Sequence, residues 1–262
     1  IEMCEKIKAK GYTPIACSLQ NVPHYWFEFT ILNNGGPAQH LQVPASEGDA
    51  AFTSWAAGLN DIKELYEKGF FPQNTLSASD EDTFQLMYDG KAAFAIDGSW
   101  NTGQLVPNVA TVDDAGDVTD EGLLAAFPCT YVPAKAARKP PARIGGLSMG
   151  SSLTRNAWDD PDKRAAAVSF IEALTTDEVI GEMAAGAAAT ALKVAPAKPD
   201  SLNSLAESAY NMVSGATSVT AAVQDYIKPE AKAQVLEVDT KLVASGQVTA
   251  EQAVTNMMEI NQ

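Results

Sequence analysis

The segment FQLMYDGKAAFAIDGSW, residues 84–100, decides which fold this chain is expected to adopt. The acidic residues before it are typical of a helix start, and Gly90 is a typical helix end because glycine adopts the left-handed conformation at low cost. The apolar run 91–96 is short enough to be a strand, and the Asp-Gly pair after it predicts a turn. The turn carries Trp100 to the end of that strand, where open α/β sheets bind ligands.

The residues before this unit predict further alternation of helix and strand. A strand is expected over 13–19, and a loop over 21–26 that contains Tyr25 and Trp26. A long amphipathic helix is expected over about 49–68, because apolar residues recur there at helical spacing. Its apolar stripe is expected to pack into the core.

The residues after the unit contain further turn and helix signals. Residues 109–122 are polar and glycine-containing and predict a surface loop or hairpin, and 123–127 resembles a strand. Residues 144–149 are glycine-rich and apolar, which favours a strand whose backbone lies close to another group. An acidic cap followed by Pro161 starts a helix, and helical patterns return up to the end of the chain.

Several of these segments resemble the family 1 extracellular solute-binding proteins of ABC importers, the maltose-binding-protein-like and mostly carbohydrate-binding group. The resembling segments are EMCEKIKAKGYTPIA, GKAAFAIDGSW, IGGLSMGSSL with the proline-started helix after it, and SGQVTAEQAVTNMMEI. They follow the order of the family and cover nearly the whole chain. The resemblance implies an α/β fold of the type II periplasmic-binding-protein class, with a mixed sheet flanked by helices.

One departure from the family affects the expected domain organisation. Family members begin with a set of strands and helices that builds most of the first lobe, and this set does not precede the first helix here. The resemblance therefore implies that 1–143 is the first part of the C-terminal lobe. Residues 144–196 would be a return segment belonging to the N-terminal lobe, and 197–262 would be the closing helices of the C-terminal lobe.

Composition excludes several classes of function. The chain has 262 residues, of which 46% are hydrophobic, and 33 acidic residues outnumber 18 basic ones to give a net charge of −15. This suits a globular protein, and its field repels nucleic acid and anionic lipid. No apolar segment reaches the length of a membrane span.

Cysteine and histidine are too sparse to predict a metal site. The three cysteines, Cys4, Cys17 and Cys129, fit no zinc motif, and the only histidines are His24 and His40. Three buried thiols are the default expectation, and a Cys4–Cys17 bridge is the alternative. No cofactor motif occurs, so no cofactor is expected.

Two acidic runs are candidate chemical sites. The run over 113–121 is expected to be a solvated loop, since calcium-loop spacing is absent. The acidic residues 80–82 are expected to complement the dipole of a helix N-terminus rather than to act as an acid–base pair.

One motif supports an alternative, catalytic function. Residues 146–150, GLSMG, match the G-x-S-x-G nucleophile elbow of serine hydrolases, with Ser148 as the nucleophile. In that fold the catalytic histidine follows the serine, whereas both histidines here precede it. The next expected helix also starts some ten residues later, whereas the elbow leads directly into a helix. A non-catalytic protein is therefore favoured, with a Ser148 hydrolase as the alternative.

The remaining candidates are ligand-binding residues. Aromatic planes suit the apolar face of a sugar ring, and amides, carboxylates and backbone groups suit its hydroxyls. The resemblance implies a binding role for Trp100 and, less directly, for Tyr25 and Trp26, with core packing as the alternative for each. Glycines would let the backbone approach the ligand. The other candidates are Gly145, Gly146, Asp97, Gln20, Asn21 and Tyr226.

The resemblance thus predicts an extracytoplasmic, monomeric protein that binds a carbohydrate and delivers it to the permease subunits of an ABC transporter. It leaves open whether a lipid anchor holds the protein at the membrane or the protein is free in the periplasm. A further alternative is a structural fragment without a ligand site of its own.

Overall fold

The computed structural model describes residues 1–20, 24–98, 101–126, 142–145, 151–183, 192–194, 197–216 and 218–262. Five residues named above lie outside these ranges: Asn21, Trp100, Cys129, Gly146 and Ser148.

Helices dominate the described residues. The α-helices are α1 (Glu2–Ala9), α2 (His24–His40), α3 (Ala50–Glu67), α4 (Asp80–Tyr88), α5 (Asn101–Val109), α6 (Arg155–Asp159), α7 (Pro161–Leu174), α8 (Asp177–Met183), α9 (Ser204–Ser214), α10 (Pro229–Ala233), α11 (Thr240–Ala244) and α12 (Ala250–Asn261). Two 3-10 helices, Leu124–Ala126 and Val223–Tyr226, and a π-helical segment, Gln234–Asp239, lie between them.

The described strands form three pairs. They are β1 (Thr13–Ala16), β2 (Ala92–Ala95), β3 (Thr111–Val112), β4 (Val118–Asp120), β5 (Ala142–Ile144) and β6 (Ser218–Thr220). β1 and β2 are parallel, as are β5 and β6, whereas β3 and β4 form an antiparallel hairpin. This hairpin confirms the prediction for 109–122.

The helix–strand unit predicted from 84–100 is confirmed up to the turn. Ser79 caps α4 by accepting a hydrogen bond from the backbone N–H of Asp82, whose carboxylate accepts in return from the backbone N–H of Ser79. Gly90 ends the unit's helix with a φ of 64°. β2 then pairs with β1 in a register that places Ile15 opposite Phe94.

The core lies mainly between α2, α3 and the C-terminal helices. Phe27 of α2 and Trp55 of α3 meet edge to face with centroids 5.1 Å apart, and both are fully buried. Phe52, Leu59 and Ile62 continue the buried stripe of α3, as its helical spacing predicts. Helices α10, α11 and α12 cover the same core.

Two expected elements are wrong. Tyr25 and Trp26 lie in the first turn of α2 and not in a loop. A proline in the sequence just before a helix is compatible with helix initiation. Phe27 and Ile31 are buried on one face of this helix, which stabilises it. Of the strand expected over 123–127, the described residues 123–126 form a turn and the 3-10 helix Leu124–Ala126 instead, because the buried Leu124 packs against α9.

Two further observations concern the cysteines and membrane spanning. Cys4 and Cys17 are both buried free thiols, so no bridge joins them. Burial raises the pKa of each thiol, which keeps it protonated. No helix in the described ranges is both long and apolar enough to span a bilayer.

Candidate functional site

The carboxyl ends of β1 and β2 are adjacent because the two strands are parallel neighbours. The chain leaving β1 runs beside residues 75–78: the backbone N–H of Leu19 donates to the Thr75 carbonyl, and the Ser18 hydroxyl donates to the Ala78 carbonyl. This contact places the start of α4 next to the exit of β1. The chain leaving β2 reaches Asp97 two residues after the strand ends.

Asp97 organises the turn after β2. Its Oδ1 accepts from the backbone N–H of Gly98 at 2.6 Å, and its Oδ2 accepts from the side-chain amide of Asn101 at 2.5 Å. The Asn101 backbone N–H closes the turn by donating to the Gly98 carbonyl. The turn is therefore held by a carboxylate at the N-terminus of α5, where negative charge is favoured.

Four side chains interact at these strand ends, and we call them the strand-end cluster: Tyr25, Asp80, Tyr88 and Asp97. Burial raises the pKa of Asp80 to about 6, and the Asp97 carboxylate, followed by Glu81, adds to the rise. Burial, and then Asp97 and Asp80, raise the pKa of Tyr25 to about 12. The same three causes raise the pKa of Tyr88. Two like charges thus share one partly desolvated region with two phenols.

Two of the sequence-predicted candidates, Tyr25 and Asp97, belong to this cluster, and a binding role for them stays a prediction. The sequence did not indicate the other two members, Asp80 and Tyr88. The sequence predicts only that Asp80 complements the helix dipole, and it assigns no ligand-binding role to Tyr88. In the structure Tyr88 packs against Phe84 with ring centroids 6.4 Å apart. Burial, followed by the Asp97 carboxylate, raises the pKa of both Asp80 and Tyr88. The residues are brought together by the parallel pairing of β1 and β2. No pattern in the neighbouring sequence therefore indicates that they form one cluster.

The other described candidates lie in different surroundings. Trp26 packs edge to face on Phe71 at 5.8 Å, against the main core. The side-chain carbonyl of Gln20 accepts from Lys241 Nζ at 2.9 Å, which ties the exit of β1 to α11. A binding role for Trp26 and Gln20 stays a prediction.

The candidates at the second parallel pair are more exposed. The backbone N–H of Gly145 donates to the Thr220 carbonyl, extending the β5–β6 pair by one residue. Tyr226, on the 3-10 helix after β6, is 59% exposed. A binding role for Gly145, and for Tyr226, also stays a prediction.

A buried network of hydrogen bonds connects α2 to β6 and the 3-10 helix that follows it. The carboxylate of Glu28 accepts from the backbone N–H groups of Val223 and Gln224, at 3.1 and 2.9 Å, and lies 2.5 Å from His40 Nε2. His40 Nδ1 lies 3.4 Å from the Thr220 hydroxyl. Since a carboxylate only accepts, Nε2 carries the proton. The helix that presents Tyr25 is thereby fixed to the β5–β6 pair.

No metal-binding group is found at the site or elsewhere in the described part of the chain: no three His, Cys, Asp or Glu side chains come together there. The strand-end cluster offers oxygen acceptors and aromatic rings. Such groups suit a hydroxylated or cationic ligand rather than an anion.

Solved structures show the same fold. A chitin oligosaccharide binding protein matches 98% of this chain with a TM-score of 0.71 at 21% identity, and 62% of that protein is covered. A protein from a study of xylan utilisation by Caldanaerobius polysaccharolyticus matches 98% of this chain with a TM-score of 0.69 at 18% identity, with 63% of it covered. A sugar transporter from Bacillus licheniformis in complex with stachyose matches 98% of this chain with a TM-score of 0.60 at 15% identity, with 63% of it covered.

These similarities establish an α/β fold of the periplasmic-binding-protein class. The chain spans less than two thirds of the length of each of the three proteins. No curated protein sequence matches the chain. The family model described as bacterial extracellular solute-binding protein matches residues 1–209. This match covers most of the sequence, and the chain therefore belongs to that family.

Proposed function

We propose that this chain binds a sugar outside the cytoplasm for uptake by an ABC transporter, and that it does no catalysis. The family match over residues 1–209 carries the proposal. Two related structures support the ligand class, since they are described as binding chitin oligosaccharide and stachyose. The strand-end cluster supports it chemically, because carboxylates, phenols and amides are the groups that bind sugar hydroxyls.

The proposed domain organisation is 1–143 and 197–262 in one lobe, with 144–196 belonging to another. Leu205 of α9 packs with Val109 and Leu124, which supports placing residues after 197 with the first segment. Helices α6 and α7 contain no buried residue, which supports a different packing partner for the return segment.

Hydrogen exchange tests this organisation. Amides of α6 and α7 should exchange much faster than those of α3 and α12, because exposed helices open with little loss of buried apolar contacts. Equal protection of α7 and α3 would contradict the assignment. The comparison needs no ligand and is made on the 262-residue chain.

One lobe alone is expected to bind a sugar weakly. Covering about 50 Å² of apolar sugar surface with one indole contributes ~1.3 kcal/mol, whereas a micromolar site requires about 8 kcal/mol. A second wall that closes on the ligand is one way to supply the difference. We therefore expect the 262-residue chain to bind a sugar weakly. A longer polypeptide that includes residues encoded upstream in the gene, where these exist, should bind it more tightly.

Calorimetry with chitin, xylan-derived and stachyose-type oligosaccharides tests the function. The expected result is saturable heat with at least one of them, reduced about tenfold or more by Trp100→Ala through loss of stacking. Trp158→Ala, which removes an indole exposed on α6, is the matched control and should leave the affinity unchanged. Failure of every saccharide to bind either polypeptide contradicts the proposal, and equally tight binding by both contradicts the two-wall argument.

The absence of catalysis is tested separately with a serine-directed phosphonate probe. We expect no labelling that depends on Ser148, so the wild-type chain and Ser148→Ala should give the same signal. Covalent labelling of Ser148 would favour the hydrolase alternative.

The proposed partners are the permease subunits of an ABC transporter, and the proposed state is a monomer. Fractionation of the producing cell should place the protein outside the cytoplasm, and detergent partitioning distinguishes a lipid-anchored form from a free one. Recovery in the cytoplasmic fraction would contradict the location.

A further inference from the structure

Within the described part of the chain, the strand-end cluster contains two carboxylates without a positive partner. Asp80 and Asp97 are both partly buried and interact with each other, and burial raises the pKa of both. No lysine or arginine in the described ranges forms an ion pair with either carboxylate. An uncompensated pair of this kind reduces stability, and such pairs are concentrated at functional sites.

Asn101 provides a second and independent observation. The side chain is only 5% exposed, and its Nδ2 donates to Asp97 Oδ2. Its Oδ1 is buried and has no hydrogen-bond partner in the described part of the chain. Leaving such an acceptor unpaired costs about 1–3 kcal/mol. Beside the carboxylate of Asp97 there is therefore an acceptor in need of a donor.

A purely structural role explains only part of this arrangement. Capping of the turn before α5 accounts for Asp97 and for the Nδ2 of Asn101, because both of these groups are used in that turn. It accounts neither for the second carboxylate, Asp80, nor for the unpaired Oδ1. The unsatisfied groups are all acceptors, so the missing component is a donor or a cation.

The number of donors distinguishes the candidate occupants. A sugar hydroxyl has a single donor and no charge, so it can satisfy only one of these acceptors and does not offset the two carboxylates. An ammonium group has three donors, no acceptor and a positive charge. A calcium ion needs about six to eight oxygen ligands, and no group of three acidic or other metal-binding side chains exists in the described residues.

We propose that Asp80, Asp97 and Asn101 form a subsite for the protonated amino group of an amino sugar. The inference rests on the proposed function, since it takes the ligand to be a saccharide. The ammonium donors meet the two carboxylates and the unpaired amide oxygen, and Tyr25 borders the same region. The strongly negative net charge of the chain, −15, attracts such a ligand over longer distances.

Matched oligosaccharides test the subsite. Oligomers of β-1,4-linked glucosamine and of β-1,4-linked glucose differ at each ring in an amine or a hydroxyl group. Both oligomers would be titrated into the 262-residue chain and their binding followed by ligand-observed NMR, which detects weak binding. The titrations use low ionic strength and a pH just above the pKa of Asp80, which is about 6. We expect the amino oligomer to bind about tenfold tighter or more, and the preference to fall as salt is added.

Variants assign the preference to the subsite. Asp80→Asn and Asp97→Asn should each reduce the ratio of the two affinities towards one. Asp89→Asn, which removes an exposed carboxylate paired with Lys91, should leave the ratio unchanged. Thermal unfolding checks that each variant is folded.

The outcomes separate this inference from the proposed function. Equal affinity for the two oligomers overturns the ammonium subsite and leaves sugar binding intact. A preference that survives both subsite substitutions also overturns it. Calcium binding that both substitutions abolish would assign the cluster to a metal ion instead, and failure of all saccharides to bind would contradict the proposed function itself.

Discussion

Asp80 is subject to two opposing electrostatic effects. As the first residue of α4 it lies where the helix dipole favours a negative charge. Burial and the neighbouring Asp97 disfavour that charge, and the second influence dominates because the pKa of Asp80 rises from 3.8 to about 6. Glu81, Tyr25, Tyr88 and Cys17 are the other titratable groups in its surroundings.

The raised pKa of Asp80 predicts how its contribution to stability changes with pH. Between pH 3.8 and about 6 the folded state holds a proton that the unfolded state has lost, so the free energy of unfolding falls as pH rises through this window. Because asparagine does not titrate, Asp80→Asn removes this pH-dependent fall in the free energy of unfolding. The melting temperature of the variant relative to wild type should therefore increase from pH 4 to about pH 6 and then level off.

Asp89→Asn is a control of opposite sign. Hydrogen bonds from Lys91 and Gln85 lower the pKa of Asp89, so its stabilisation is present at neutral pH and is lost as the pH falls through that lowered value. The Asp89→Asn substitution should lower the melting temperature at neutral pH and have no effect at low pH. A pH-independent difference between Asp80→Asn and wild type would contradict the assignment of Asp80.

At the scale of helices and strands, the sequence predicted the features that are determined by residues close together in the chain. The helix start before residue 84, the glycine end at Gly90 and the apolar stripe over 49–68 each depend on nearby residues, and each appears in the structure. Contacts that depend on distant partners were not predictable. Asp80 meets Asp97 only because β1 pairs with β2, and Glu28 bonds to a backbone group 195 residues away.

The crossing of α2 and α3 depends on a glycine that no sequence pattern identified. A Cβ at Gly58 would lie 2.9 Å from Thr30 Oγ1 and 3.1 Å from the backbone nitrogen of Ile31. The hydroxyl can rotate away, but the backbone of α2 cannot move without disturbing the core. The two helices therefore approach each other more closely than an alanine at this position allows.

Gly58→Ala should accordingly destabilise the protein. Alanine gains up to about 1 kcal/mol in helix propensity, but overpacking in a core costs about 1–3 kcal/mol. We expect a net loss of about 1 kcal/mol, measured as a lower urea midpoint. Gly181→Ala in α8 is the matched control, because a Cβ there meets nothing within 4 Å. It should be neutral or stabilising, and a stabilising Gly58→Ala would contradict the close-packing argument.

At the scale of the whole molecule, one buried network joins segments that are distant in sequence. Glu28 and His40 belong to α2, whereas Thr220, Val223 and Gln224 follow the return segment. Three donors converge on the carboxylate of Glu28, which is 2% exposed. The network fixes the start of the closing helices to the helix that presents Tyr25.

Glu28→Gln should be strongly destabilising for this reason. Glutamine keeps the shape but replaces one acceptor with an amino group that faces a donor, so at least one buried N–H loses its partner. Leaving a buried donor or acceptor without its partner costs about 1–3 kcal/mol, and the urea midpoint should fall accordingly. The Val223 and Gln224 amides should also exchange faster. Glu2→Gln, which breaks an exposed pair with Lys6, is the control and should change little. An unchanged midpoint in Glu28→Gln would show that the network does not hold these segments together.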